Sequence, residues 1–310
     1  MKLVTPKFWL QKNLSFLSLA LKPIAYLFQI VVYLKKRFTK SNQFSIPIIC
    51  VGNIFLGGTG KTPVALKLYE LLKKKYKKPA IIRKFYIDQF DEFNLINSQV
   101  KNAYCEKTRS EGINKAISKG CDIIILDDGF QDNSVSKDLN IICFNGKQLL
   151  GNNMTIPSGP LRESIHALKN CQIIIYNGIK NLKFEKKVKK INKNIKIFYS
   201  EYKPVNIRKL KKNNYLAFAG IGVPQNFFDL LKKNRIKVKK TISFPDHYNF
   251  RNQDLRKIIN ISKNNKLRLI TTKKDIFRLK KIKFKKVEYL DIILKIKKEK
   301  EFTKEVLNRI

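Results

Sequence analysis

Apolar residues along this chain fall into two alternating patterns. In one they form short unbroken runs; in the other they recur every three or four positions. "SIPIICVG", ending at Gly52, is a run of the first kind and predicts a buried strand. "KTPVALKLYELLKKKY", from Lys61, has helical spacing, with Pro63 in the first turn, where its missing N–H is tolerated. "PAIIR" (79–83) predicts a strand, and "KTRSEGINKAISKG" (107–120) a helix closed by Gly120. "CDIIILDD" (121–128), "LNIICFN" (139–145) and "CQIIIYN" (171–177) predict strands with little polar alternation, as in a parallel sheet covered on both faces. After the basic stretch 207–213 the alternation resumes. "YLAFAGIG", "VKKTISF" and "LRLITT" predict strands; "PQNFFDLLKKN" and "NQDLRKIINISK" predict helices between them. The fold class expected is α/β, a doubly wound and mostly parallel sheet followed by a second, smaller α/β domain.

The first forty residues follow neither pattern. "LSFLSLALKPIAYLFQIVVYLKKRF", Leu14 to Phe38, is largely apolar for about seven helical turns. Lys22 and Pro23 interrupt it, and a spanning helix needs about 20 unbroken apolar residues. Phe8 and Trp9 precede the run, and Lys35, Lys36 and Arg37 close it. Aromatic and cationic anchors at the two ends predict a helix lying in, or dipping into, a membrane interface. The competing reading is a helix packed on the protein's own core. No secretory signal is evident. The expected organisation is a membrane-associated helix at 1–40, a phosphate-loop core at 41–205, and a second domain at 206–310 that closes over the active site.

Composition adds to this picture in two places. At 310 residues and 44% hydrophobic content the chain can build a core, so disorder is not expected. The formal net charge of +42 favours anionic partners. The lysines are spread from end to end, however, with no Arg-rich arm, so no specific nucleic acid is expected as a partner. The five cysteines (50, 105, 121, 143 and 171) form no C-x-x-C pair. That predicts reduced, mostly buried thiols. With only His166 and His247 present, a His-rich metal site is excluded.

The candidate chemistry begins at "NIFLGGTGKT", Asn53 to Thr62. Successive backbone N–H groups of a glycine-rich turn make an anion nest, and the next helix adds its N-terminus. Phe55, Leu56, Gly57, Gly58, Thr59 and Gly60 form the loop, Lys61 supplies charge to the β- and γ-phosphates, and the Thr62 hydroxyl can coordinate Mg²⁺. The usual pattern has glycine where this chain has Phe55; Gly57 and Gly58 are the expected compensation. A second element agrees with the first. "IIILDDGFQ", Ile123 to Gln131, runs from apolar residues into two carboxylates at a strand's C-terminal edge, where α/β folds place ligands. One of Asp127 and Asp128 belongs on the metal, directly or through water; the residues alone leave open which.

Taken together, "VGNIFLGGTGKTP", "LDDGFQ", "GPLRES", "FAGIG", "FPDHYNF" and "LITTKKD" resemble, in composition and order, the tetraacyldisaccharide 4'-kinases of Gram-negative bacteria. The resemblance covers nearly the whole chain. It implies transfer of the ATP γ-phosphate to the 4'-hydroxyl of an acylated glucosamine disaccharide 1-phosphate, at the cytoplasmic face of the inner membrane among anionic lipids. ATP and Mg²⁺ are the implied cofactors. Lys61 and Thr62 are implied to take the phosphates and metal, with Asp127, Asp128 and Gln131 in the metal and γ-phosphate region and Arg162 and Glu163 facing the active site. The family's "GDEP" matches "FDEF", which makes Asp91 the catalytic base, with Asp88 as its rival, and His247 its supporting partner.

The chain also departs from the family pattern. "SRGYG" becomes "IRKFY", so that Arg83 alone matches; "DDGFQH" becomes "DDGFQD" at Asp132; "TTEKD" becomes "TTKKD" at Lys273. Two other readings compete. A membrane-associated P-loop ATPase of the partitioning or carrier type would explain the loop and the apolar N-terminus, but not "GPLRE" or "FPDHY". A basic nucleic-acid-binding module would explain only the charge.

Overall fold

Residues 48–52 (IICVG) form strand β1, Ile48–Gly52, with every residue buried. It is the central strand of the larger sheet, flanked by β4, Ile123–Asp127, and β5, Leu139–Asn145, both parallel to it. All-apolar runs of this kind can only sit between two covering layers. The computed structural model describes the chain apart from residues 1–5, 12, 77, 87–89, 247 and 282–286 and the side chains at 90, 91, 280 and 281.

The chain forms two compact units. The core unit comprises 5–85, 96–201 and 294–310; the second unit holds Tyr86–Leu95 and Tyr202–Ile293. The core sheet adds β2, Pro79–Lys84, β3, Ala103–Glu106, β6, Ile173–Asn177, β7, Lys196–Pro204, and β12, Ile292–Ile296. Its strand order is β12-β7-β6-β5-β1-β4-β2-β3. Helices α3, Lys61–Leu72, α5, Arg109–Ser118, and α6, Leu182–Ile191, accompany it, with α11, Glu299–Leu307, after β12. A full capping box at Thr108 and Glu111 starts α5, and Gly120, at φ 72°, follows its end.

The second unit has its own sheet, in the order β11-β10-β8-β9, with every pairing parallel. The strands are β8, Asn214–Ala219, β9, Lys237–Ser243, β10, Arg268–Thr272, and β11, Glu288–Leu290. Its helices are α4, Phe90–Asn97, α7, Ile207–Leu210, α8, Pro224–Lys233, α9, Asn252–Asn264, and α10, Lys273–Lys281. Tyr215, Ala217, Phe227 and Leu231 fill one side of the sheet. Leu216, Phe218, Phe250 and Ile258 fill the other. The α/β class expected from the apolar pattern is the one observed. The division of the chain differs from the expected one: the segment around Asp91 clusters with the second unit, and the chain after Ile293 returns to the core.

The N-terminal segment is broken where Pro23 falls. Helix α1, Phe16–Ala20, ends at Leu21, and α2, Lys22–Phe38, starts with Pro23 in its first turn. A few side chains tie this segment to the core unit. Trp9 is buried and its Nε1 donates to the Pro157 carbonyl at 3.0 Å. Ser18 is buried and donates to the Ser158 carbonyl at 2.7 Å. Along α2 only Ala25 is buried. Ile24, Tyr26, Leu27, Ile30, Val31 and Tyr33 are all more than half exposed. Among the described residues, no helix is long and apolar enough to cross a membrane.

Candidate active site

The phosphate loop joins β1 to α3, and its unusual Phe55 has a structural role. Phe55 is 1% exposed and packs in a core cluster with Leu161, Phe130 and Phe144. Its backbone pairs antiparallel with Leu161. Leu56 N–H donates to the Pro160 carbonyl and Arg162 N–H to the Ile54 carbonyl, each at 2.8 Å. The first half of the loop is therefore one edge of a short ladder whose other edge is "GPLR". A glycine at 55 would leave a hole in that cluster, and the positive-φ role passes to Gly57 (φ 128°) and Gly60 (φ 91°). Phe55 gives the loop its backbone pairing with Leu161, and its ring packs in the core. Buried Asn53, missed in the sequence reading, braces the turn: its Nδ2 reaches Thr59 Oγ1 at 2.8 Å and the Gly57 carbonyl at 3.3 Å. Lys61 opens α3, so its charge and the helix N-terminus act on the same space.

The same ladder places Arg162 opposite the two aspartates that end β4. Asp127 is fully buried; its Oδ2 accepts from Thr62 Oγ1 at 3.1 Å and from the Arg83 guanidinium at 2.5 Å. Arg83 stands beside Asp127 in the β2–β4 register, which brings its guanidinium onto that carboxylate. Asp128 takes a left-handed backbone, φ 57°, uncommon without glycine. That turn points its carboxylate at Lys61 (3.5 Å) and Arg162 (3.1 Å). Arg162 also donates to Gln131 Oε1 at 3.2 Å, and Gln131 Nε2 donates to Glu163 Oε1 at 3.0 Å. Lys61, Asp128, Arg162, Gln131 and Glu163 thus form one chain of contacts, Thr62, Asp127 and Arg83 form another beside it, and the two aspartates are distinguished. Asp127 is locked on Thr62 and Arg83; Asp128 faces the cations.

Asp132, which stands where the family has histidine, is part of a clamp on this turn. Buried Arg109, at the start of α5, donates to Asp132 Oδ2 at 2.5 Å and to the Asp128 carbonyl oxygen at 2.6 Å. Burial alone would raise the Asp132 pKa, but the Ser134 hydroxyl and the Arg109 guanidinium outweigh it and hold the carboxyl at about 2. A depressed carboxyl pKa adds stability that is present above its unfolded value and lost only as pH falls through about 2. The clamp therefore stays charged at any ordinary working pH. Asp132→Ala leaves a buried guanidinium short of a partner, and urea unfolding should show a loss of about 1–3 kcal/mol. kcat should fall about tenfold or more as Asp128 loses its fixed turn, while Asp132→His should recover most of both. An Asp132→Ala protein with wild-type stability and rate would show that the clamp is idle. Arg109 carried no motif; its only sequence signal was an arginine following the Thr108 cap.

Of the proposed base and its partner, Asp91 lies in α4, while Asp88 and His247 fall outside the described residues. Their sequence neighbours are informative. Lys274 Nζ contacts Glu92 Oε1 at 2.6 Å and Asp246 Oδ1 at 3.7 Å. One lysine of "TTKKD" therefore joins the residue after Asp91 to the residue before His247, all within the second unit. The sequence reading had put Asp91 and His247 in different domains; the chain places both segments in one. Lys273, where the family has glutamate, pairs with Asp291 at 2.9 Å. Asp275, the last residue of that motif, is buried. Its carboxylate takes Gly220 N–H at 3.1 Å, Thr272 Oγ1 at 2.7 Å and the Arg278 guanidinium at 2.7 Å.

The oxygen set near Lys61 suits a hard divalent cation. Thr62 and Asp127 are already in contact, with Asp128 on the following residue, and Mg²⁺ takes few protein oxygens when phosphates supply others. Among the described residues no cluster of three or more His, Cys, Asp or Glu forms a closed cage.

The chain is similar to known proteins over nearly its whole length. The family model for tetraacyldisaccharide-1-P 4'-kinase matches residues 17–310. A tetraacyldisaccharide 4'-kinase of Pelagibacter ubique is 39% identical over 99% of this chain and 98% of its own. One from Rickettsia akari is 32% identical over 88% of each chain. A crystal structure of LpxK from Aquifex aeolicus in complex with ATP superposes with a TM-score of 0.72, covering 94% of this chain and 99% of that one at 24% identity.

Proposed function

The chain belongs to the tetraacyldisaccharide 4'-kinase family, and from that premise we propose how its residues carry out the transfer. It is an ATP-dependent kinase of lipid A biosynthesis, moving the γ-phosphate of ATP to the 4'-hydroxyl of an acylated glucosamine disaccharide 1-phosphate. The observation that carries this reading is the ladder between the phosphate loop and "GPLR", which joins Lys61 and Arg162 on Asp128. A plain P-loop ATPase has no use for that second edge.

The loop N–H groups and the α3 N-terminus hold the phosphates. Lys61 leaves Asp128 for the β- and γ-oxygens as ATP enters, and Arg162 follows the charge that builds on the transferring group. Thr62, Asp127 and Asp128 would hold Mg²⁺, with Asp127 acting mainly by fixing the Thr62 hydroxyl. When bound, the metal would supply positive charge against the charge that develops during transfer. Asp91 accepts the proton of the 4'-hydroxyl as the new O–P bond forms and the bond to the β-phosphate oxygen breaks, and His247 orients that carboxylate. The products are ADP and a bisphosphorylated lipid. The direct test combines protein, labelled ATP, Mg²⁺ and the disaccharide 1-phosphate. Label in the lipid supports the reading, and label released only as inorganic phosphate overturns it.

A lipid acceptor requires contact with a bilayer, and we assign that contact to α1 and α2. An exposed helix that is apolar on nearly every side, ending in Lys35, Lys36 and Arg37, fits the interface of an anionic leaflet such as the cytoplasmic one. Deleting residues 1–36 would also remove buried Trp9 and Ser18, so point changes give the sharper test. Leu27→Asp with Val31→Asp should reduce co-sedimentation with phosphatidylglycerol vesicles by about tenfold or more and leave the melting temperature within a few degrees. Undiminished sedimentation would move the anchor to the diffuse basic surface.

A further inference from the structure

Lys274 is the second residue of α10, and its ammonium meets two carboxylates from distant parts of the chain. Glu92 Oε1 lies at 2.6 Å and Asp246 Oδ1 at 3.7 Å. The Lys274 and Glu92 side chains are each 18% exposed and that of Asp246 34%. The cluster is therefore partly shielded from water, unlike the open surface pairs that contribute little. Like charges brought this close repel unless a cation stands between them.

The lysine projects from a fixed corner. Thr271 Oγ1 donates to the Phe218 carbonyl at 2.7 Å, which ties the end of β10 to β8. Buried Asp275 and Arg278 grip the two sides of the Gly220 backbone, one taking its N–H and the other donating to its carbonyl. Phe244 N–H donates to the Ala219 carbonyl at 2.8 Å, so the segment that leads to Asp246 starts from the same end of β8. Residues 86–95 arrive from elsewhere. They lie between β2 and β3 of the core sheet, yet belong to the second unit. Glu92, in the first turn of α4, is where this excursion meets Lys274.

The residues that Lys274 joins are the immediate neighbours of Asp91 and His247. We propose that Lys274 is a positioning residue of the transfer reaction: its ammonium holds the start of α4 to the "FPDHY" loop and so sets the base against its imidazole partner. This rests on the roles given to Asp91 and His247 above and deepens them. A misplacement of about 1 Å at a reacting group can cost about a hundredfold in rate, and this tie stands one residue from each partner.

The test is a cycle of variants, read as kcat with labelled ATP and the disaccharide 1-phosphate, with melting temperature followed in parallel. Lys274→Met should lower kcat by about ten- to a hundredfold. Lys274→Arg, which keeps the charge, should recover most of that loss. In an Asp91→Asn background, Lys274→Met should cost little more, because a tie that acts through the base has nothing left to align. A lysine with a merely structural role would give the same factor in both backgrounds, and that result overturns the proposal. So does Lys274→Met at the wild-type rate, or Lys274→Arg as slow as Lys274→Met. If Asp91→Asn and His247→Ala are both as fast as wild type, the pair itself is misassigned and the proposal falls with it. A slow Asp91→Asn with a fully multiplicative Lys274 effect keeps the base and removes only the lysine's role. If Lys274→Met fails to fold, Lys274→Gln, which keeps a donor for Glu92, takes its place in every arm with the same criteria.

Discussion

Lys61→Ala should lower kcat by about 10²–10³ while the protein still folds, the usual cost of one preorganised charge lost from the developing transition state. The residue is the first of α3, and its ammonium sits 3.5 Å from Asp128. Removing it leaves Asp128 with Arg162 at 3.1 Å, so the turn keeps a cation and the network does not collapse. Circular dichroism and melting temperature should therefore stay near wild type while single-turnover transfer from labelled ATP slows. A folded variant with an unchanged single-turnover rate would mean that Lys61 does not touch the phosphates, and the kinase site would have to be placed elsewhere.

Asp91→Asn should be comparably severe, lowering kcat by about 10²–10⁴, as expected when a general base is lost. A sugar hydroxyl is a weak nucleophile near neutral pH and needs its proton taken as it attacks. His247→Ala should cost less, because the imidazole acts through the carboxylate. The double variant should cost clearly less than the product of the single effects. Both segments belong to the second unit, and Lys274 joins their neighbours Glu92 and Asp246, so the pair does not need two units to meet before it forms. The non-additivity should then appear in the pH dependence of kcat/KM, which reports the free enzyme, as well as in kcat. If Asp88→Asn is dead and Asp91→Asn is active, the base lies just ahead of α4. If both are active, the assignment of a carboxylate base in this segment is wrong.

The central strands were legible because burial on both faces leaves nothing but apolar residues. β1, β4, β5 and β6 show this in one line of sequence. The strands β3, β7 and β12 were not, because edge and outer positions mix polar and apolar residues: "KIFYSEYKP" reads equally well as a loop. The phosphate loop was legible because its chemistry is local, with glycines, Lys61 and Thr62 adjacent in sequence. The reason for Phe55 was not, since it depends on pairing with Leu161, far along the chain. Arg109 was invisible for the same reason: its two partners, Asp128 and Asp132, are brought to it by the packing of α5. The residues at Asp132 and Lys273 read in the sequence only as departures from the family pattern. Each has an opposite charge within reach, Arg109 and Asp291.

The return of the chain to the core after Ile293 sets an order of events during synthesis. Domains emerging from a ribosome usually fold from the N-terminus onward. Here the core sheet lacks its edge strand β12 until the second unit has been made in full. Phe302, fully buried and in edge contact with Phe198 of β7, and Glu299, paired with Lys67 of α3 at 3.1 Å, come later still. A nascent chain stopped before Ile292 holds the phosphate loop, both aspartates and Arg162, yet leaves one flank of their sheet open to water. The unit written second can finish first, and the catalytic loop, though translated early, is braced late.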